Sequence, residues 1–158
     1  MISVFPTKMS NSFFSFPVLP LFNKPHDGPH LQVELVKADA LAYMMDLSKR
    51  GDDKFDIVIC DPPKLAPTRG ALAKAKNKYV KINTAALKLV KPGGLLLTFS
   101  CSAAVTQSGS LKDFVSEAAI HAGKDVNYLS SMHAAKDHVV HSTYKEGEYL
   151  SGLICCVR

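Results

Sequence analysis

Residues 55–64 read Phe55-Asp56-Ile57-Val58-Ile59-Cys60-Asp61-Pro62-Pro63-Lys64. The apolar run shows no alternation, which is how a strand reads when both its faces are covered, as in a parallel sheet. Neither proline has a backbone N–H to donate, so pairing stops at Asp61. A carboxylate is thereby held at the carboxyl end of a strand with a stiff turn behind it. In open α/β sheets that edge is where ligands bind. An ordinary strand end leading into a Pro-Pro loop reads the same on this stretch by itself.

Working outward, Leu31 to Lys37 alternates as a strand. Asp39 suits the N-cap of a helix from Ala40 to about Arg50, with Leu41, Met44 and Met45 inward and Gly51 as its stop. Downstream, 64–73 reads as a loop containing Pro67 and Gly70, followed by a helix over 74–91 that Pro92-Gly93-Gly94 ends. Tyr79, Ile82, Ala86 and Leu89 form its core face, while Lys74, Lys78, Lys81 and Lys88 form a basic stripe on another face. Leu95 to Ser100 is a second buried strand, ending at Cys101 between Ser100 and Ser102. Ser110 and Asp113 have capping-box spacing for a helix to Ala122. Strands over 125–132 and 149–157 flank a loop carrying His133, His138 and His141, whose spacing matches no metal-ligand set. Strands alternating with helices predict a mostly parallel α/β sheet, with the last two strands antiparallel.

A chain of 158 residues that is 47% hydrophobic can form one domain with a core. No apolar run is long enough to span a bilayer, so no membrane role is expected. The net charge is +5, and its placement is uneven. Between Asp61 and Asp113 there is no acid, and nine cations: Lys64, Arg69, Lys74, Lys76, Lys78, Lys81, Lys88, Lys91 and Lys112. The rest of the chain is net acidic. A basic field beside a ligand edge suits a nucleic-acid backbone, although a solvated helix face gives the same pattern. Cys60, Cys101, Cys155 and Cys156 include no Cys-x-x-Cys pair, and no secretory segment precedes them. They read as reduced thiols in an intracellular protein, cytoplasmic or organellar and not secreted. Residues 1–30, rich in Ser, Phe and Pro, read as a poorly ordered leader, and 31–158 as the domain.

Acid-Pro-Pro after one strand and Ser-Cys-Ser after the next is more specific than either alone. With Val36-Lys37-Ala38-Asp39-Ala40, Gly93 to Ser102, Ala134 to His138 and Glu146 to Leu150, residues 33–158 resemble the catalytic domain of class I S-adenosylmethionine-dependent methyltransferases. Within that class they are most similar to the bacterial large-subunit rRNA cytosine-C5 methyltransferase family. The resemblance implies a Rossmann-like sheet truncated at its N-terminus, with family strands 3 to 7 present, 1 and 2 missing, and the last strand antiparallel. It implies S-adenosylmethionine as cofactor, held by Asp39, Ala40, Asp61 and Pro62. It implies RNA, ribosomal by family, as partner, with Lys64, Arg69, Lys74, Lys78 and Lys81 toward it. Cys101 would be the nucleophile and Asp61 would hold the base edge. Without the resemblance, Cys101 reads first as a small buried hydrophobe, the usual fate of a free cysteine.

The family's Gly-rich cofactor turn has no counterpart before residue 39. Two functional expectations follow: an RNA cytosine-C5 methyltransferase or a truncated form of one, and a catalytically inactive RNA- or partner-binding remnant. A small-molecule methyltransferase fits the basic interval less well. The loss of family strands 1 and 2 would leave the edge of strand 55–61 exposed, and strand 31–37 would have to pair directly with it, pair with the leader, or remain loose.

Overall fold

The computed structural model describes residues 2–5, 36–51 and 55–158. Its elements in order are β1 (Ile2–Phe5), α1 (Ala40–Arg50), β2 (Phe55–Cys60), α2 (Leu72–Leu89), β3 (Val90–Ser100), α3 (Ala103–Ser108), α4 (Leu111–Ala122), β4 (Val126–His133) and β5 (Ser151–Val157). The five strands form one sheet in the order β1-β2-β3-β5-β4.

The sheet is α/β but less parallel than expected. β2 and β3 pair in parallel, with Val58 opposite Leu96 and Cys60 opposite Thr98. β5 then inserts between β3 and β4, antiparallel to both. β2, β3 and β4 therefore run the same way while only β2 and β3 touch as parallel neighbours. The last strand is antiparallel, as anticipated. The β4–β5 register shifts between Tyr128 and Ser130.

The expected strand over 31–37 cannot be followed, because 31–35 lie outside the described residues, and Val36 and Lys37 are irregular. The edge of β2 is taken instead by β1, antiparallel, with Ile2 opposite Cys60 and Phe5 opposite Ile57. Four residues of the leader thus take an edge expected to lie exposed or to pair with strand 31–37, and 6–30 lie outside the described residues.

Alternation along the strands divides the sheet into two faces. Val58, Cys60, Leu96, Thr98, Leu153, Cys155 and Val157 point one way and are buried under α2 and α4. Tyr79 stacks on Phe114 across those helices, ring centroids 5.7 Å apart. Ile57, Ile59, Leu97, Phe99 and Ile154 point the other way and are half-buried.

Local chemistry explains the boundaries. Asp39 caps α1, its carboxylate accepting from the Ala42 N–H at 2.8 Å, and Gly51 ends the helix with φ +79°. α2 stops at Leu89, two residues before the expected end, and Pro92-Gly93-Gly94 falls inside an irregular part of β3 instead. Gly94 is required there: a Cβ would stand 2.7 Å from the Asp56 carbonyl oxygen. Ser110 does not cap α4. Its backbone is already helical and its hydroxyl meets that of Ser108 at 2.7 Å.

Candidate active site at the strand ends

β2 and β3 end side by side, and alternation fixes what each presents. Asp61 follows Cys60, so it points away from the helices. Cys101 follows Ser100 and points the same way. The two side chains meet, the Cys101 thiol donating to Asp61 Oδ1 at 3.9 Å. Both are half-buried. Burial pushes the Cys101 thiol up from its ordinary value, and the Asp61 carboxylate pushes it further. At rest the sulfur is a neutral thiol beside a carboxylate that can accept its proton.

Ser100 and Ser102 point the opposite way and are completely buried. The Tyr79 hydroxyl joins Ser100 Oγ at 2.8 Å and Ser102 Oγ at 3.1 Å. Ser102 Oγ also accepts from the Ala66 N–H at 3.2 Å, and Ser100 Oγ from the Ser102 N–H at 3.2 Å. This cluster ties α2, the end of β3 and the loop after Pro63 to one another, fixing the backbone on either side of the sulfur. Sequence reading placed Tyr79 in the core and missed its hydroxyl's role. The signal was available: two serines two residues apart at a strand end share a face, with the cysteine on the other.

Asp39 is exposed at the start of α1. Four residues separate the end of α1 from the start of β2. Ala40 is exposed and Pro62 buried. An exposed acid at a helix start and a half-buried acid at a strand end fit the nucleoside side of a cofactor.

Lys64, Lys74, Lys78, Lys81 and Lys88 are exposed. Arg69 opens a short 3-10 turn, Arg69–Ala71, that leads into α2. Lys76 pairs with Glu117 at 2.7 Å, and Lys91 with Asp56 at 3.0 Å. Those two cations serve the fold, leaving the stripe on α2 to face solvent, with Lys74 near the start of that helix and Lys88 near the start of β3. The other thiols do not join the site. Cys60 and Cys155 are completely buried, and burial pushes each up to about 12. Cys156 is half-buried on the opposite face from Cys155 because adjacent strand residues alternate. Among the described residues no His, Cys, Asp or Glu cluster could hold a metal, and no helix is long and apolar enough to cross a membrane.

No protein-family profile matches the chain. Over 126 residues it is 41% identical to the Ribosomal RNA large subunit methyltransferase I of Salmonella arizonae, covering 80% of this chain and 31% of that protein. The Salmonella newport protein of the same name matches equally. The chain thus spans about a third of the length of these curated relatives. Among solved structures, one from Streptococcus mutans described as a SAM-dependent methyltransferase superposes with a TM-score of 0.59 at 20% identity, over 75% of this chain and 29% of that one. A complex of M1.HpyAVI with SAM gives 0.51 at 17% identity, over 80% and 54%. These structures establish the fold.

Proposed function

We propose that this chain, which carries the C-terminal part of a class I methyltransferase domain, belongs to an S-adenosylmethionine-dependent RNA methyltransferase acting on carbon 5 of cytosine, with ribosomal RNA as the substrate. The observation that carries this reading is the Cys101–Asp61 contact at the paired strand ends. The 41% identity to a ribosomal RNA methyltransferase supplies the substrate class.

Carbon 5 of cytosine is too weak a nucleophile to take a methyl group unaided. Sulfur addition at carbon 6 pushes electron density onto carbon 5, which can then take a methyl group. Loss of the carbon-5 proton and of the sulfur from carbon 6 restores the ring and frees the thiol, and this is the chemistry for which a thiol is needed. As Cys101 Sγ attacks, Asp61 takes its proton, so the charge need not exist on sulfur beforehand. The resulting carboxylic acid then faces the base edge, where it can donate to an acceptor. The bound cofactor supplies an electrophilic methyl group. Asp39 would accept from its adenine amine, with Ala40 and Pro62 lining the approach. The Tyr79 cluster holds the sulfur's backbone still. The target base must leave its stack to reach the site. The α2 stripe, with Lys64 and Arg69, would hold the flanking phosphates without reading sequence. The cellular setting follows the substrate: wherever these ribosomes are assembled.

The test is a covalent trap. RNA containing 5-fluorocytidine, supplied with cofactor, should form a stable adduct with wild-type protein and none with Cys101→Ser. A positioned thiol without methyl transfer, as in an inactive remnant, would leave no trapped adduct, and the same result from the wild-type chain would overturn this reading.

A further inference from the structure

β4 runs parallel to β3, so it ends at the same edge as Cys101, and the 17-residue connection to β5 spans 134–150 over that edge. The connection is tied to α3, the helix that begins two residues after Cys101. Thr106 Oγ1 donates to the Tyr149 carbonyl at 2.8 Å, and Gln107 Nε2 to the Lys145 carbonyl at 2.8 Å. Within it, the His138 ring meets the Tyr149 ring edge-on at 5.3 Å and approaches the Gly147 carbonyl at 3.2 Å. Between α3 and this connection lies a cleft of about 470 Å³, lined by Gln107, Val140, His141, Ser142, Lys145 and Glu148. Its size is that of a small-ligand site. Gln107 lies four residues along α3 from its start at Ala103, a rise of about 6 Å, and that start is two residues after Cys101.

The polar groups lining the cleft are of complementary kinds. His141 Nδ1 accepts from the Thr143 N–H at 3.3 Å and meets Thr143 Oγ1 at 2.8 Å. An accepting Nδ1 places the ring proton on Nε2, so the neutral imidazole has a donor left to offer. Lys145 adds a cation and Glu148 an anionic acceptor. Tyr144, between His141 and Lys145 in sequence though not in the cleft lining, is 59% exposed, a ring on which a base can stack.

We infer that this cleft is a nucleotide subsite: it takes a nucleotide neighbouring the target cytidine, and prefers one whose base carries an exocyclic amine. Glu148 accepts from that amine, the His141 Nε2–H donates to a base or phosphate oxygen, and Lys145 meets the phosphate. A uracil has no amine to give Glu148. The assignment to a neighbouring nucleotide rests on the RNA methyltransferase reading; nucleotide binding in the cleft does not.

The experiment titrates the full chain with CMP, AMP and UMP, following the His141 imidazole signals by NMR, assigned against His141→Asn. Inorganic phosphate is the control. CMP and AMP should shift those signals saturably, with UMP weaker by about tenfold for the lost charge-assisted hydrogen bond. Glu148→Ala, at an exposed position, should erase that difference and leave the fold intact. Silent His141 signals up to ~10 mM nucleotide, or equal shifts with inorganic phosphate, would overturn the subsite. A 5-fluorocytidine adduct at Cys101 alongside silent His141 signals would leave the methyltransferase reading standing without it. Nucleotide-dependent shifts without an adduct would leave the subsite standing without the reaction.

Discussion

Replacing Tyr79 with phenylalanine removes one oxygen from a place that water does not reach. The ring can stay where it is, stacked on Phe114 at 5.7 Å, so almost nothing changes but the hydroxyl. That hydroxyl makes two contacts, with Ser100 Oγ at 2.8 Å and Ser102 Oγ at 3.1 Å. Each net hydrogen bond is worth about 1 kcal/mol, and a buried hydroxyl left short of a partner adds about 1 kcal/mol or more. The expected loss is about 2–3 kcal/mol, read as a fall in melting temperature of about 5–10 °C for a domain of this size. Urea unfolding at neutral pH measures it. A second change sharpens the result: adding Ser100→Ala to Tyr79→Phe removes the stranded hydroxyl, so the pair should cost less than the two single changes added together. A single variant within about 0.5 kcal/mol of wild type, or a strictly additive pair, would refute the cluster as a clamp. The same variant should also loosen the loop after Pro63, visible as faster amide exchange at Ala66.

Other consequences can be checked in turn. Asp61→Asn removes the charge beside Cys101, so the thiol pKa should fall while staying above its ordinary value because burial remains the larger cause. Iodoacetamide at pH 8 should then alkylate Cys101 faster, and an unchanged rate would remove Asp61 from the account. Cys60 and Cys155 stand at about 12 against an ordinary 9.0. Folded and unfolded thiols are both neutral below pH 9. Above it the unfolded chain ionises first, so stability should fall from pH 9 toward 12, by up to about 1.4 kcal/mol per pH unit for each thiol. Cys155→Ser should shallow that slope in urea melts. Gly152→Ala places a Cβ 2.6 Å from Phe99 Cδ1 and 3.2 Å from Met132 Cε. It should cost about 1–3 kcal/mol, most of it recovered by adding Phe99→Leu. The double change Lys78→Glu and Lys81→Glu should flatten the salt dependence of single-stranded RNA binding by about 0.7 per lysine if both meet phosphates.

Much of the architecture could be read from residues 55–64 outward because the signals there are local. An apolar run with a Pro-Pro stop, an aspartate before a helix and a glycine after it each act through neighbouring atoms. The antiparallel last strand also followed from the missing helix before β5. What sequence could not show was where β5 lands. Its place between β3 and β4 is decided by pairing over more than fifty residues, which no short window contains. α3 escaped notice because six residues are too few to display a helical period. β1 hid in a Ser-, Phe- and Pro-rich stretch for the same reason of length. Pro92-Gly93-Gly94 looked like a helix stop when its work is to let β3 approach the Asp56 carbonyl. At the site, the resemblance singled out Asp61 and Cys101, and the structure brings them into contact. Tyr79 was visible only as an apolar ring at helical spacing, since a sequence does not show where a hydroxyl ends.

The sheet has two rims with different fates. With β1 laid along β2, the outer strands of the described sheet are β1, four residues long, and β4, eight residues long, and the longer rim is β4. There an incoming strand would meet the register break between Tyr128 and Ser130, where the ladder loses its even spacing. It would also meet the exposed hydroxyls of Ser130 and Ser131, which hold water in place of an apolar partner. A fold whose apolar face is only half-buried on one side is thus guarded at its growing edge against stacking into fibrils. Repairing the break, by deleting Leu129 so that β4 pairs with β5 without interruption, would turn this rim toward assembly.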